Sequence, residues 1–539
     1  MSLVYEPQVD PLWVQKSECK CARCDRSRTA SYVTSEALSR YNKWLQLAKL
    51  DTKKWQLDGM KWILFHELCA KPAYGTRGGI IADEMGLGKT ILMLGTIVSN
   101  FKLHTLIIVP PALLDQWKKV IEKFGVGLIN RTLVYHGRKA KKSTDEDLKM
   151  AWIVLTTYGM ITKRKKVDSR LSKIKWDRII YDEAHHMRTP KTAIYRGAKK
   201  LKSPIQWMVT GTPIQNKVAD MQALCSIMGL LQAITIDPTA AKKILDYHLL
   251  RRTKEKVGIN LPSIEVHNIN VNWIGKNEKL IAAQIHSHLS FSEITAMNVD
   301  EIIAFLNRNP LPMLTRARQI CILPQLLRTA FMKMKQQDII PERLQLRDIK
   351  TTSKLSAILK VLYARSTKQN LGAPSRRKLI FCHYREEIDI LGYALTQMGI
   401  TNSTIDGRTK KRTRKISLEY APDADEMRSV CKQWNNVLAE DVWGIIDSFL
   451  APEVMILQIQ TACEGLNLQH FQEIYFTSPH WNPAVEDQAI ARAHRIGQKR
   501  TVDVFHFIMN SCWNNTVSLD QYCCRVQEAK RELASSYIA

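Results

Sequence analysis

Ile81-Ala82-Asp83-Glu84-Met85-Gly86-Leu87-Gly88-Lys89-Thr90 continues the apolar run Gly79–Ala82 and opens a second one, with Ile91, Leu92, Leu94 and Ile97 at helical spacing. A buried strand that turns through glycines into a helix is the setting of a phosphate loop. Glycines let backbone N–H groups curl around phosphate oxygens, and the helix N-terminus adds free donors and a favourable dipole. Asp83, Glu84, Met85, Gly86, Leu87 and Gly88 form the loop. Lys89 is placed to reach the β- and γ-phosphates, and the Thr90 hydroxyl to hold Mg²⁺. The generic pattern asks for glycine where Asp83 stands.

A second motif supports the first. Arg178-Ile179-Ile180-Tyr181 reads as a buried strand and ends in Asp182-Glu183-Ala184-His185. Carboxylates at the C-terminal end of a parallel strand face the ligand crevice. Asp182 is the second candidate Mg²⁺ ligand, directly or through water. Glu183 is the candidate base that positions and deprotonates an attacking water. Taken alone, the two acids could also be surface residues at a strand end.

Around these motifs, short apolar runs recur at Thr105–Val109, Trp152–Leu155 and Gln206–Val209, then at Lys378–Cys382, Val454–Gln458, Glu473–Thr477 and Val502–Phe507. Strands interleaved with helical stretches predict parallel sheets covered on both faces. Between about 258 and 350 no buried strand is evident, and Pro310, Pro312, Pro324 and Pro341 break a helical pattern. The expected fold is α/β: two parallel-sheet lobes joined by a mainly helical connector. The expected boundaries are an N-terminal arm over 1–44, a first lobe over 45–257, the connector over 258–352, a second lobe over 353–525 and a helical tail over 526–539.

The composition bounds the partners. The 539 residues carry 79 Lys and Arg against 51 Asp and Glu, a formal charge of +28. Such an excess suits nucleic acid, whose phosphates reward Lys and Arg through counterion release; a basic protein without such a partner is the other reading. An apolar share of 45% excludes wholesale disorder. No apolar stretch is long enough to span a membrane, so no membrane partner is expected. Met1–Trp13 lacks the basic and apolar regions of a secretory signal, so secretion is not expected. Cys19, Cys21 and Cys24 are crowded and lack a fourth ligand nearby, so zinc is not expected there.

These motifs resemble the ATPase motor of helicase superfamily two, and within it the Swi/Snf-type family of double-stranded DNA translocases. The family has Asp at the place of Asp83. Trp55-Gln56-Leu57-Asp58-Gly59 is similar to its adenine-reading motif, with Gln56 as the reader. Val109-Pro110-Pro111 followed by Gln116-Trp117 is similar to its next strand and helix. Thr156-Thr157-Tyr158 resembles a turn that contacts the DNA backbone, and Thr210-Gly211-Thr212-Pro213-Ile214-Gln215-Asn216 the motif that couples ATP to DNA. Leu250-Arg251-Arg252-Thr253-Lys254 resembles the stretch leaving the first lobe. In the second lobe, Asp406-Gly407-Arg408-Thr409 and Gly465-Leu466-Asn467-Leu468 match, although Ala462 and Cys463 stand where the family has two glycines. Trp481-Asn482-Pro483 leads to Gln488-Ala489-Ile490-Ala491-Arg492-Ala493-His494-Arg495-Ile496-Gly497-Gln498. The segment from Arg316 to Cys321 is similar to the connector of the repair and transcription-termination subgroup.

The resemblance implies two RecA-like lobes, ATP with Mg²⁺, and a double-stranded DNA partner, with DNA-bound protein such as a nucleosome or polymerase as the object moved. Gly465, Asn467 and Gln488 join Thr156, Thr157, Thr210, Gly211 and Thr212 as coupling or DNA-contacting residues. Arg492 and Arg495, three apart and so on one face of a helix, are implied to be arginine fingers. It also implies a nucleus or another DNA-containing compartment, in a cell, a virus or a microbe. An RNA helicase of the Asp-Glu-Ala-His type and a non-hydrolysing DNA-binding scaffold are the alternatives. Trp481-Asn482-Pro483 and Gln498 speak against the first; the presence of Lys89, Glu183 and both arginines speaks against the second. About 415–445 the chain exceeds the family pattern by roughly 25–30 residues, beyond ordinary loop lengths. That insertion is either a partner-binding element or a surface excursion.

Overall fold

The computed structural model describes residues 30–69, 72–162, 169–212, 218–230, 238–289, 291, 311–349, 352–369, 376–409, 452–462, 468–513 and 517–538. The cysteines at 19–24 and the insertion at 415–445 lie outside them. The chain divides into two units, Met1–Asn260 and Leu261–Ala539.

The first unit is built on β1 (Arg77–Ile81), β2 (Thr105–Val109), β3 (Thr132–Tyr135), β4 (Ile153–Thr157), β5 (Arg178–Asp182), β6 (Ile205–Val209) and β7 (Leu249–Leu250). They form a parallel sheet of order β3-β4-β2-β5-β6-β1-β7. β2, β4 and β5 are buried throughout, which is why they read as continuous apolar runs. β3 and β7 were not foreseen. They are short edge strands, and every residue of β3 but Tyr135 is only half-buried.

The arm expected over 1–44 is, in its described part, a helix of the first core: α1 spans Ala30–Leu47. Ala37, Tyr41, Trp44 and Leu45 are buried against α2 (Lys54–Leu68) and α3 (Lys89–Ser99). Gly95 permits this approach, since a Cβ there would stand 2.5 Å from the Tyr41 ring. Polar residues between the apolar ones hid that helix in the sequence.

Beneath the same sheet lies a fully buried ion pair. Arg178 donates to Glu67 Oε1 at 2.7 Å and to Oε2 at 2.5 Å, and neither side chain is exposed. Trp207 Nε1 at 2.8 Å and Asn100 Nδ2 at 2.7 Å complete the donors on Glu67. One carboxylate thus joins α2, the end of α3, β5 and β6.

The second unit holds β8 (Ile264–Val271), β9 (Lys378–Cys382), β10 (Asn402–Ile405), β11 (Val454–Gln458), β12 (Glu473–Phe476) and β13 (Val502–Met509). Its sheet is parallel, of order β10-β11-β9-β12-β13-β8. β8 adds one strand to the mainly helical stretch over 258–352. It is an edge strand, mostly exposed, so no buried run announced it. The helices Lys276–Ser287, Leu311–Ile322 and Arg328–Gln336 supply Ile281, Ile285, Ala317, Phe331 and Met334 to the core that covers this sheet. The connector therefore packs as part of the second unit. The boundary expected at 525 falls inside one helix, Leu519–Ile538, whose Val526 and Ala529 join that core. No helix among the described residues is long and apolar enough to cross a membrane.

Two stacked imidazoles give this core a pH signature. His383 and His480 lie with ring centroids 5.8 Å apart, and His383 Nε2 meets the Ser478 carbonyl at 3.0 Å. Burial pushes the His480 pKa down to about 4, with Arg318 and Lys530 adding to the effect and Glu486 opposing it. Burial, then the Arg318 charge, holds His383 well below the usual range. An unfolded histidine takes its proton near 6.5 and these do not, so stability is present above pH 6.5 and lost as pH falls toward 4. For His480 alone the loss is on the order of 3 kcal/mol. Urea midpoints between pH 7.5 and 5 should fall in the wild type and fall less in His480→Asn. Equal slopes would remove His480 as the cause.

Candidate functional site

Strand register brings the motifs of the first unit to one edge. Ile81 pairs with Val209, Val209 with Asp182, and Val109 with Thr157. The segments following β1, β5 and β6 therefore start at the same C-terminal level of the sheet, where ligands bind in such folds.

The loop after β1 has the geometry its glycines suggest. Gly86 and Gly88 hold φ of 94° and 85°, a region that costs glycine little. Gly88 also cannot carry a Cβ, which would stand 2.3 Å from Gln56 Nε2. Lys89 Nζ donates to the Asp83 carbonyl at 2.8 Å and to the Glu84 carbonyl at 3.4 Å. Its ammonium is thereby held over the loop. Thr90 stands in the first turn of α3, half-buried.

Three side chains take places that motif reading did not foresee. Gln56 donates through Nε2 to the Leu87 carbonyl at 3.3 Å, so its amide lies on the phosphate loop itself. The buried Asp83 carboxylate turns away from the loop interior and accepts from Arg252 N at 3.1 Å and Nε at 2.9 Å. Glu84 accepts from Lys254 N at 2.7 Å and pairs with its ammonium at 2.9 Å. Asp83 and Glu84 thus hold the chain leaving the unit, while their carbonyls hold Lys89.

Asp182 is buried at the end of β5. Its Oδ2 accepts from Trp117 Nε1 at 2.6 Å and its Oδ1 from the Glu183 N–H at 3.0 Å. Tyr158 donates its hydroxyl to the Asp182 carbonyl at 2.7 Å. Burial, then the like charge of Glu183, pushes the Asp182 pKa up to about 6, against the opposing charge of Lys89. A carboxylate so disfavoured gains most from a cation beside it, and this is the sense in which Asp182 and the Thr90 hydroxyl fit Mg²⁺. Glu183 is held at φ 51°, a left-handed backbone of order 1–3 kcal/mol above the ordinary regions for a non-glycine residue. Its Oε2 lies 3.3 Å from His185 Nδ1.

His185 leads to the next motif. Its Nδ1 is 3.3 Å from Thr210 Oγ1, which also accepts from the Thr212 N–H at 3.2 Å. The Thr210 N–H donates to the Ile81 carbonyl at 3.0 Å. A Cβ on Gly211 would stand 3.3 Å from Met85 Cγ and 3.5 Å from Lys89 Nζ. Thr210, Gly211 and Thr212 therefore adjoin both Lys89 and the Asp-Glu-Ala-His turn. Pro213 to Asn216 lie outside the described residues. Thr156 and Thr157 are buried, with hydroxyls engaged by the Tyr135 carbonyl at 2.8 Å and by His136 Nδ1 at 3.0 Å.

In the second unit, Arg492 lies on the helix Pro483–Ala493, which also carries the buried Gln488. Arg495 lies beyond the helix end, which corrects the expectation of one helical face. The Arg492 carbonyl accepts from the Leu468 N–H at 3.1 Å, and Gln498 Nε2 reaches the Ala493 carbonyl at 3.3 Å. With its last carbonyls so engaged, the helix stops. The two guanidinium groups remain neighbours: burial, then the charge of Arg492, lowers the Arg495 pKa. An anion nearby would favour both charges. Gln498, taken from sequence as a family marker, is a buried staple bonded to the Gln469 and Phe471 carbonyls and to the Lys499 and Arg500 N–H groups. Gly465 and Asn467 lie outside the described residues.

Trp117, Tyr158, Arg252 and Lys254 stand within motifs quoted from the sequence, but no role was assigned to them there. Their contacts with Asp182, Asp83 and Glu84 are tertiary.

Comparison with known proteins bears on this geometry. Residues 29–235 match the SNF2-related domain. An uncharacterized ATP-dependent helicase of Mycoplasma pneumoniae is 26% identical over 90% of this chain and 42% of its own length. A probable global transactivator of Orgyia pseudotsugata multicapsid polyhedrosis virus is 25% identical over 84% of this chain and 86% of its own. A solved SWI2/SNF2 ATPase core of Sulfolobus solfataricus, in complex with double-stranded DNA, is 22% identical with a TM-score of 0.37, covering 86% of this chain and 88% of that one. The chain spans less than half the length of the Mycoplasma relatives it matches, 42% in each case.

Proposed function

We propose that the chain, whose residues 29–235 match the SNF2-related domain, is a DNA-dependent ATPase of the Swi/Snf type that translocates along double-stranded DNA. The observation that carries this reading is the meeting of Lys89, Asp182, Glu183 and the Thr210–Thr212 turn at one edge of a parallel sheet. Lys89 would leave the Asp83 and Glu84 carbonyls for a phosphate oxygen. Asp182 and Thr90 would hold Mg²⁺, which when bound supplies charge neutralisation at the phosphates. Glu183 would orient the attacking water and take its proton. His185 and Thr210 give a hydrogen-bonded route from that base to the coupling turn.

Arg492 and Arg495 of the second unit are proposed to complete the site when DNA brings the two units together. Hydrolysis would then depend on DNA, and each cycle would move the protein along the duplex. Remodelling of protein on DNA, repair and transcription are the processes such a motor serves, in a nucleus or another DNA-containing compartment. A net charge of +28 suits the polyanion.

The test is the steady-state ATPase rate without nucleic acid, and with duplex DNA, single-stranded DNA or RNA, at one salt concentration. Stimulation chiefly by duplex DNA is expected. Stimulation chiefly by RNA would replace the reading with an RNA helicase, and no ATP turnover at all with a DNA-binding scaffold. Glu183→Gln should bind ATP as the wild type does while turnover falls by about 10²–10⁴. Wild-type turnover in that variant would remove Glu183 from the chemistry.

A further inference from the structure

Arg252 stands just beyond β7, where the chain leaves the first unit, yet it touches two other parts of the nucleotide site. Its Nε donates to Asp83 Oδ1 at 2.9 Å and its Nη2 to Asp83 Oδ2. Its Nη1 donates to the Trp55 carbonyl. Its own carbonyl accepts from the Glu84 N–H at 2.8 Å. Room for the guanidinium comes from Gly59 within α2, where a Cβ would stand 2.6 Å from Nη2. A glycine inside a helix costs about 1 kcal/mol relative to alanine, so the space is kept against helix propensity.

The contacts form a closed frame. Trp55 precedes Gln56, and both donate to the Leu87 carbonyl at 3.3 Å. Asp83 begins the loop that contains Leu87. The guanidinium therefore bridges the two ends of a frame whose other side is the Gln56 contact. A forked guanidinium–carboxylate pair fixes distance and angle together, which an ammonium cannot do. This also accounts for the carboxylate at a position where the generic phosphate loop carries glycine: Asp83 anchors Arg252.

We propose that Arg252 is a positioning residue that sets the spacing between the Trp55-Gln56 segment and the phosphate loop, and through it the selection of adenine over guanine. The inference rests on the ATP reading above. A purine nucleotide spans base and phosphate with its own fixed reach. A polar group that reads the base discriminates only when held at the matching distance, and a misplacement of about 1 Å is worth up to 10²-fold in rate.

The test uses the full chain with saturating duplex DNA, measuring kcat and KM for ATP and for GTP. In Arg252→Ala the KM for ATP should rise about tenfold and the ATP-to-GTP ratio of kcat/KM should fall about tenfold, with kcat changing less. Arg252→Lys, which keeps charge and stem but loses the fork, should fall between that variant and the wild type. Millimolar methylguanidinium should restore part of the ATP preference to Arg252→Ala. If Arg252→Ala does not fold, Arg252→Lys alone reads the effect. A folded variant with the wild-type ATP-to-GTP ratio overturns the inference, because a merely structural role moves the melting temperature and leaves that ratio alone. A wild type that shows no preference between the nucleotides also overturns it. A wild type that hydrolyses neither sinks the ATP reading itself.

Discussion

Arg495→Ala is expected to bind duplex DNA with wild-type affinity and to lose ATP turnover by about 10³–10⁵-fold, the range that an arginine finger supplies. The reason lies in where charge develops. In phosphoryl transfer the transition state spreads charge over oxygens of the transferred group, and a guanidinium placed there acts only at that moment. Arg495 is suited to this by its surroundings: burial and the Arg492 charge beside it disfavour its own charge, so an anion is its most favourable neighbour. The measurement is DNA binding by fluorescence anisotropy beside steady-state ATPase at saturating duplex. Unchanged turnover would reject the finger. Equal losses of binding and turnover would make Arg495 a DNA contact instead.

The largest effect on stability is expected at Glu67. Its carboxylate accepts from Arg178, Trp207 and Asn100, and the Arg178 partner is fully buried. Glu67→Ala leaves that guanidinium without its counter-charge in the dry interior, at a cost of about 3–5 kcal/mol. Loss of the exposed Asp58–Lys61 pair should change stability by less than about 1 kcal/mol. Urea unfolding of both variants, followed by the circular dichroism of the helices, separates the two cases. A Glu67→Ala protein within 1 kcal/mol of wild type would show that water or another group reaches Arg178.

Both predictions show what a linear pattern conveys. Thr105–Val109, Lys378–Cys382 and Val454–Gln458 were bounded to the residue, because a central parallel strand is apolar on both faces and ends where its motif begins. The edge strands β3, β7, β8 and β10 were not, because an edge strand is half-exposed and short apolar alternation is common in loops. Lys89, Asp182 and Glu183 stood out because phosphate chemistry demands those residue types at set places after a strand. Arg252 and Trp117 stood inside quoted motifs, but their roles did not stand out, because these arise from folding across long separations. Arg178 was read as the first residue of a strand, and nothing in its neighbours announced a buried charge: its partner is 111 residues away. Arg495 was placed on a helix by spacing alone, whereas the end of that helix is decided by Leu468 and Gln498.

The eight-residue pairing of Ile264–Val271 with Val502–Met509 has a mechanical meaning. The second unit begins at Leu261, just before that strand, and a pull applied along the strand axis meets the whole pairing. Its partner runs parallel, and the cross-strand hydrogen bonds lie across the pull. All of them are loaded in shear at once rather than opened one at a time from an end. This seam is thus built to resist a pull along its strands.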